Sequence, residues 1–243
     1  MIKKNNYEEF HRNTDPQRKT IKENNFTYRI ILGVISKYLK KNDNILDIGC
    51  GAGSVALFLA KKGYRVHGID ISKKAISTCI ESARILRLKN ASFEQVDFPN
   101  SLPNKKFDVI ICTEVLEHLA NDNKALYSLF SILKHGGIAI ISTPSKNAPL
   151  FKIGYATKFD EKVGHLRRYN LDELVGKCKE QGFMIIETRK TEGIVRNFLF
   201  INSMGGKFIR FIKFFISDWV TLVDIVSLKL FGESNIFVII KKP

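Results

Sequence analysis

The stretch Asn44-Ile45-Leu46-Asp47-Ile48-Gly49-Cys50-Gly51-Ala52-Gly53-Ser54 limits the possible folds of this chain more than any other. A short apolar run breaks into three glycines at alternate positions and then into a helical pattern. A buried strand that turns sharply into a helix needs residues that take positive φ without a Cβ clash, and a bare backbone lets a ligand come close. Ser54 to Lys62 continues as a helix whose first amides point into the turn and offer donors to a polar group. A second apolar strand, Tyr64 to Ile69, ends in Asp70, where an acid can grip ribose hydroxyls. Ala91 to Val96 closes on Asp97 and Phe98, an acid and an aromatic edge at the same end of a parallel sheet. Strands alternating with helices of this length predict right-handed crossovers and a doubly wound α/β sheet with ligands at the carboxyl ends of its strands.

With those residues in view, the chain resembles the class I S-adenosylmethionine-dependent methyltransferases, most of all the ubiquinone-pathway O-methyltransferase and type 11 group. Leu46 to Gly53 is similar to that family's glycine motif, Gly68-Ile69-Asp70-Ile71-Ser72 to its ribose-binding strand end, Phe107 to Glu114 to its fourth strand, and Lys134 to Pro144 to its fifth-strand entry. The resemblance implies a mostly parallel, seven-stranded Rossmann-like sheet with S-adenosyl-L-methionine as cofactor. It assigns the methionine end to Asp47, Gly49, Cys50, Gly51 and Gly53, the ribose to Asp70 and Ile71, and the adenine to Asp97 and Phe98. Thr113 and Glu114 lie beside the cofactor at the end of the fourth strand. The Gly49-x-Gly51-x-Gly53 spacing is not the Gly-x-Gly-x-x-Gly of NAD-binding sheets.

Glu114, Glu117 and His118 follow the fourth strand directly. On a helix they share one face at i, i+3 and i+4, where they can hold a divalent metal or leave His118 polarised as a general base. The competing reading is that Glu117 and His118 merely pack a strand-to-helix joint. The resemblance adds a downstream histidine to a magnesium site in the ubiquinone-pathway and small-RNA 2′-O-methyltransferases. Here that histidine is His165, which implies a Mg2+ set of Glu114, Glu117, His118 and His165.

At 243 residues one domain is expected, running from 25 to 243 behind an amino-terminal arm, 1–24, whose Tyr7, Phe10 and His11 show no sustained period. Phe26, Ile30, Ile31, Val34, Ile35 and Tyr38 recur at helical spacing. Arg29 on that helix is a candidate for the methionine carboxylate of the cofactor, a solvated arginine being the alternative. Pro144 to Glu161 reads as a lid over the acceptor. The four cysteines have no Cys-x-x-Cys spacing and suggest neither zinc nor disulfides. The polar amino terminus has no apolar core for a secretory signal, so a cytoplasmic location is expected.

Before a convincing last strand, Asn235 to Lys242, the chain carries an insertion at 193–232 rich in Phe, Leu and Ile. Ser203, Gly206, Arg210, Lys213, Ser217, Thr221 and Asp224 form one narrow polar stripe on a helical wheel. The remaining circumference seeks burial against the sheet, a second subunit in a homodimer, or lipid. Charges such as Arg210, Asp218 and Asp224 argue against a spanning segment. An interfacial helix at the inner face of an anionic membrane is compatible with a net charge of +15.

The reading that follows is O-methylation of a lipophilic or membrane-associated small molecule, a quinol precursor or lipid-linked sugar, with His118 or His165 as base and Glu114 beside them. The rivals are a metal-assisted RNA ribose 2′-O-methyltransferase and a non-catalytic cofactor-binding membrane anchor. The late aromatics sit among aliphatic residues, unlike the basic stacking platforms that bind nucleic acid.

Overall fold

The computed structural model describes residues 4–202 and 216–243. Seven strands form one sheet: β1 (Asn44–Ile48), β2 (Arg65–Asp70), β3 (Ala91–Gln95), β4 (Phe107–Thr113), β5 (Leu133–Pro144), β6 (Met184–Thr191) and β7 (Asn235–Lys241), in the order β3-β2-β1-β4-β5-β7-β6. The pairs from β3 to β5 are parallel, and β7 runs antiparallel to both neighbours. The central strands are apolar along nearly their whole length because helices cover both faces, the pattern of a doubly wound sheet.

One apolar layer packs Leu126, Leu129, Leu174 and Cys178 against the sheet, from α5 (Asp122–Ile132) and α8 (Leu171–Glu180). The other packs Leu32, Val34 and Ile35 of α2 (Arg29–Ser36) and Val55, Phe58 and Leu59 of α3 (Ser54–Lys61). Caps set several helix starts. Ser72 Oγ accepts from Ala75 N at 3.0 Å before α4 (Lys73–Ile85), and Asn121 Oδ1 accepts from Lys124 N at 2.8 Å before α5. The stretch expected to be a loop-like lid holds two short helices, α6 (Pro149–Lys152) and α7 (Thr157–Val163).

Two segments differ from their sequence reading. The arm contains α1 (Lys4–His11), whose Tyr7 ring meets His118 edge-on while Phe10 stays exposed, so no apolar stripe forms. The insertion holds α9 (Ile194–Ile201) and α10 (Ile216–Phe231). Ser203, Gly206, Arg210 and Lys213 of the expected polar stripe lie outside the described residues. The rest of the stripe is the buried side of α10: Ser217, Asp224 and Ser227 face the domain, while Trp219, Leu222, Val223, Val226 and Leu230 face outward, Trp219 at 70% and Leu230 at 71% exposure. Asp224 takes the start of α9, its carboxylate accepting from Gly193 N at 2.9 Å and Arg196 N at 2.7 Å. Gly193 is required there, since a Cβ would stand 2.1 Å from Ser227 Oγ and 2.4 Å from the Asp224 carbonyl oxygen.

Candidate functional site

One cavity of about 1070 Å³ opens along the ligand end of the sheet. Following strand order, its floor is Asp70 from β2, the Gly49–Gly51 turn from β1, Thr113 and Glu114 from β4, Ser142 and Pro144 from β5, Asn235 from β7 and Glu192 just after β6. The volume reaches the top of the range for one small-molecule pocket, which is about 300–1000 Å³. It is lined in two chemically distinct halves.

The first half is backbone. Gly49, Gly51 and Gly53 all take positive φ, 67°, 52° and 78°, and a Cβ on Gly49 would meet Val115 Cγ2 at 2.6 Å. Asp70 accepts from Gly51 N and Ser72 N, both at 2.9 Å, so it holds the turn as well as facing the cavity. A carboxylate offers about four lone-pair sites, which leaves room for ribose hydroxyls. Asp47 lies beneath, buried, its carboxyl pushed up to about 7 by burial with the charge of Asp70 adding. Ile71, Cys50, Asp97 and Phe98 complete this wall, as the sequence places them.

The arm crosses the same turn, a feature with no periodic signal in the sequence. Glu8 accepts from Lys73 N at 2.7 Å, Lys74 N at 3.1 Å and Ser72 Oγ at 3.1 Å, capping α4 from outside. Buried His11 lies over Gly51, and Gln17 Nε2 donates to the Ala52 carbonyl at 2.9 Å. Tyr7 lines the cavity with its ring against His118, centroids 5.9 Å apart. Burial, with Glu117 and Asp70 nearby, pushes its phenol up to about 12.

Arg29 is not on the cavity wall. Its Nη1 donates to Asp218 Oδ1 at 2.7 Å and Thr221 Oγ1 at 3.0 Å, tying α2 to α10, which corrects its assignment to the cofactor.

Glu114 does not share a helix face with Glu117 and His118. It takes φ 56°, and only Leu116–His118 forms a single 3-10 turn. Glu114 Oε1 accepts from Ser142 Oγ and Asn235 Nδ2, each at 2.8 Å. The group that could hold a metal among the described residues is Glu117, His118 and His165, with ligand atoms within 4.8 Å of one another and Glu114 left out. Glu117 is fully buried with both carboxylate oxygens lacking a hydrogen-bond partner among the described residues. Burial, then the charge of Glu114, holds it well above the usual carboxylate range. His118 Nδ1 sits 3.2 Å from the Gly164 carbonyl oxygen; burial, helped by His165, pushes this imidazole down to about 4. His165 Nδ1 is 2.9 Å from Asp160 Oδ1, and Arg168 holds Asp160 with two hydrogen bonds of 2.7 Å. Nothing in their spacing marks Asp160, in the expected lid, or Arg168, beyond it, as site residues.

Comparison with known proteins adds the family. A family model described as "Methyltransferase domain" matches residues 39–195. The ubiquinone biosynthesis O-methyltransferase of Rickettsia prowazekii (strain Madrid E) is 37% identical over 113 residues, 45% of this chain and 43% of that protein. The chain thus spans about half the length of the curated relatives it matches. Phosphoethanolamine N-methyltransferase 2 of Haemonchus contortus, solved with S-adenosyl-L-methionine, superposes at a TM-score of 0.68 with 19% identity, covering 89% of this chain and 53% of that one. A SAM-dependent methyltransferase of Methanosarcina mazei superposes at 0.60 with 22% identity, covering 86% and 96%. At such identities these two structures speak for the fold alone.

Proposed function

The chain belongs to the methyltransferase-domain family of S-adenosylmethionine-dependent enzymes, and on that premise we propose that it moves the cofactor's methyl group to a hydroxyl oxygen of a lipophilic acceptor at the inner face of an anionic membrane. The observation that carries this reading is the outward apolar face of α10. That helix is seated on α9, whose Phe200 and Ile201 line the cavity. An exposed row of Trp, Leu and Val beside an apolar cavity wall suits a polyprenylated quinol precursor or lipid-linked sugar. No described helix is long and apolar enough to cross a membrane.

Because the sulfonium donor is already activated, the protein has to align the acceptor oxygen in line with the methyl and take its proton. The glycine turn would hold the cofactor, Asp70 its ribose, and Asp97 and Phe98 its adenine. His165 is the favoured base. With Asp160 accepting a hydrogen bond from Nδ1–H at 2.9 Å, Nε2 is left as the proton acceptor, while Arg168 keeps Asp160 charged and in place. Neutral His118 lies beside it with a ring separation of 4.8 Å.

The orphaned oxygens of Glu117 also fit a cation that Glu117, His118 and His165 would hold together. Two imidazoles suit a zinc- or manganese-type ion better than Mg2+, which prefers oxygen ligands and its own waters. Such an ion would lower the pKa of the acceptor hydroxyl. This set is also what supports the second reading, RNA ribose 2′-O-methylation.

Liposome flotation of the purified protein tests the lipid reading. The intact chain is expected to float with anionic vesicles, and a Trp219→Glu, Val226→Glu double variant to stay at the bottom while still binding S-adenosylhomocysteine. If the intact chain also stays down, the outward face belongs to a subunit contact or a lid, and soluble hydroxyls and RNA lead the acceptor search.

A further inference from the structure

The cavity half on β5, β7 and β6 contains polar atoms that no step above uses. Asn197, on α9, is 9% exposed, lines the cavity, and its Oδ1 has no hydrogen-bond partner among the described residues. Asn235 Oδ1 is likewise covered and unpartnered, and its orientation is fixed because the Nδ2 of the same amide donates to Glu114 Oε1. Glu192 completes the group. It follows Thr191, which pairs with Asn235 across β6 and β7, and it lines the same wall.

The two amide oxygens are acceptors without a donor, and Glu192 adds a carboxylate of which only Oε1 meets Arg196 Nε, at 3.4 Å. A buried acceptor left without a donor costs about 1–3 kcal/mol, so their collection at one place asks for a ligand that brings donors. The backbone points the same way. Glu114 and Glu192 flank this corner and both hold positive φ, 56° and 58°, a conformation uncommon outside glycine and often kept at ligand sites.

We propose that Glu192, Asn197 and Asn235 form a recognition subsite for the acceptor's head group, selecting a neutral head that presents hydrogen-bond donors. This rests on the reading that the β5–β7–β6 half holds the acceptor. Charge excludes the other head groups. A carboxylate brings no donor and would face Glu192 and Glu114. An ammonium brings donors but gains little from Glu192, whose charge is already balanced by the buried guanidinium of Arg196, with Nε 3.4 Å from Glu192 Oε1. Arg196 itself cannot turn into the cavity, since it is buried between the rings of Phe26 and Phe200, 4.2 and 5.5 Å from their centroids. Hydroxyls on a ring or sugar meet neither objection. Burial pushes Glu192 up to about 7, so near neutrality the loss of its charge costs little when a hydroxyl approaches.

The test is calorimetric binding of 4-hexylresorcinol, 4-hexylbenzoate and hexylammonium to the full chain saturated with S-adenosylhomocysteine. The resorcinol is expected to bind at least ~10-fold tighter than either ion, a difference of about 1.4 kcal/mol. Asn197→Leu should lower its affinity ~10-fold, one net hydrogen bond, and leave the benzoate unchanged. Glu192→Gln, close in shape, should raise benzoate binding several-fold. S-adenosylhomocysteine affinity, unchanged in both variants, reports that the fold is kept.

Benzoate or hexylammonium binding as tight as the resorcinol overturns the subsite in the wild-type protein alone. A selectivity within twofold of wild type in both variants overturns it as well, while leaving the acceptor reading in place. If S-adenosylhomocysteine binds but none of the three probes does, the acceptor half and its subsite fall together.

Discussion

The two halves of the cavity are made in opposite ways. On β2, β1 and β4 the wall is main chain, supplied by one turn from Gly49 to Gly53 and fixed by a single carboxylate, Asp70. On β5, β7 and β6, joined by Glu114 at the border with β4, it is side chain, and its members, Glu114, Ser142, Glu192, Asn197 and Asn235, come from five separate segments. A backbone wall depends on few residues and tolerates no Cβ. A side-chain wall can change its selectivity one residue at a time, which suits a constant donor on one side and a variable acceptor on the other.

The sharpest way to break this contrast is at Asp70. Asp70→Ala removes two charge-assisted hydrogen bonds that shape the turn, each worth about 1.5–3 kcal/mol, along with the ribose contact. Calorimetry should therefore show cofactor affinity down ~100-fold or more, and a loss under threefold would mean that the turn holds itself. Next in size is Asp160→Asn. It should lower turnover ~10–100-fold, the usual penalty for losing a histidine's orienting partner, with cofactor affinity unchanged. A parallel loss of cofactor binding would move Asp160 out of the acceptor half.

Glu8→Ala addresses whether the cofactor half includes the arm. Losing three hydrogen bonds at the start of α4 should weaken S-adenosylhomocysteine ~3–10-fold at about 1 kcal/mol net. Equal affinity would leave the turn alone as the site. The smallest effect is in the pH dependence of stability. Asp47 rises on folding from 3.8 to about 7, so it is protonated in the folded chain where the unfolded chain has lost its proton. Its stabilisation is present below 3.8 and is lost as pH rises through about 7. Without cofactor, Asp47→Asn should flatten the fall in melting temperature across that window, and an unaltered slope would assign the dependence to another group.

The same contrast governs what could be read before the fold was known. The glycines, Asp47, Asp70, Asp97 and Phe98 lie close to strand ends that hydrophobic runs mark, so local pattern locates them. The alternation of strands and helices, and with it the parallel part of the sheet, follows from the same runs, whereas the antiparallel pairing of β7 does not. Asn197 and Glu192 acquire meaning only when β6 is laid beside β7, and Asp160 only when α7 brings it to His165. Arg29 was misplaced for a related reason: its partner, Asp218, lies in an insertion whose position no local pattern fixes. Glu114 parted from Glu117 because the chain takes a left-handed residue between strand and turn, which breaks the helical spacing.

The inverted face of α10 has a mechanical consequence. The joint between this helix and the domain is sewn with polar thread, Asp224 to the amides of Gly193 and Arg196 and Asp218 to Arg29, and its greasy side takes no part in the seam. Replacing water outside by hydrocarbon therefore competes with nothing that holds the helix down. Under the proposed membrane contact, the helix keeps its hold on the domain while its outer face changes surroundings.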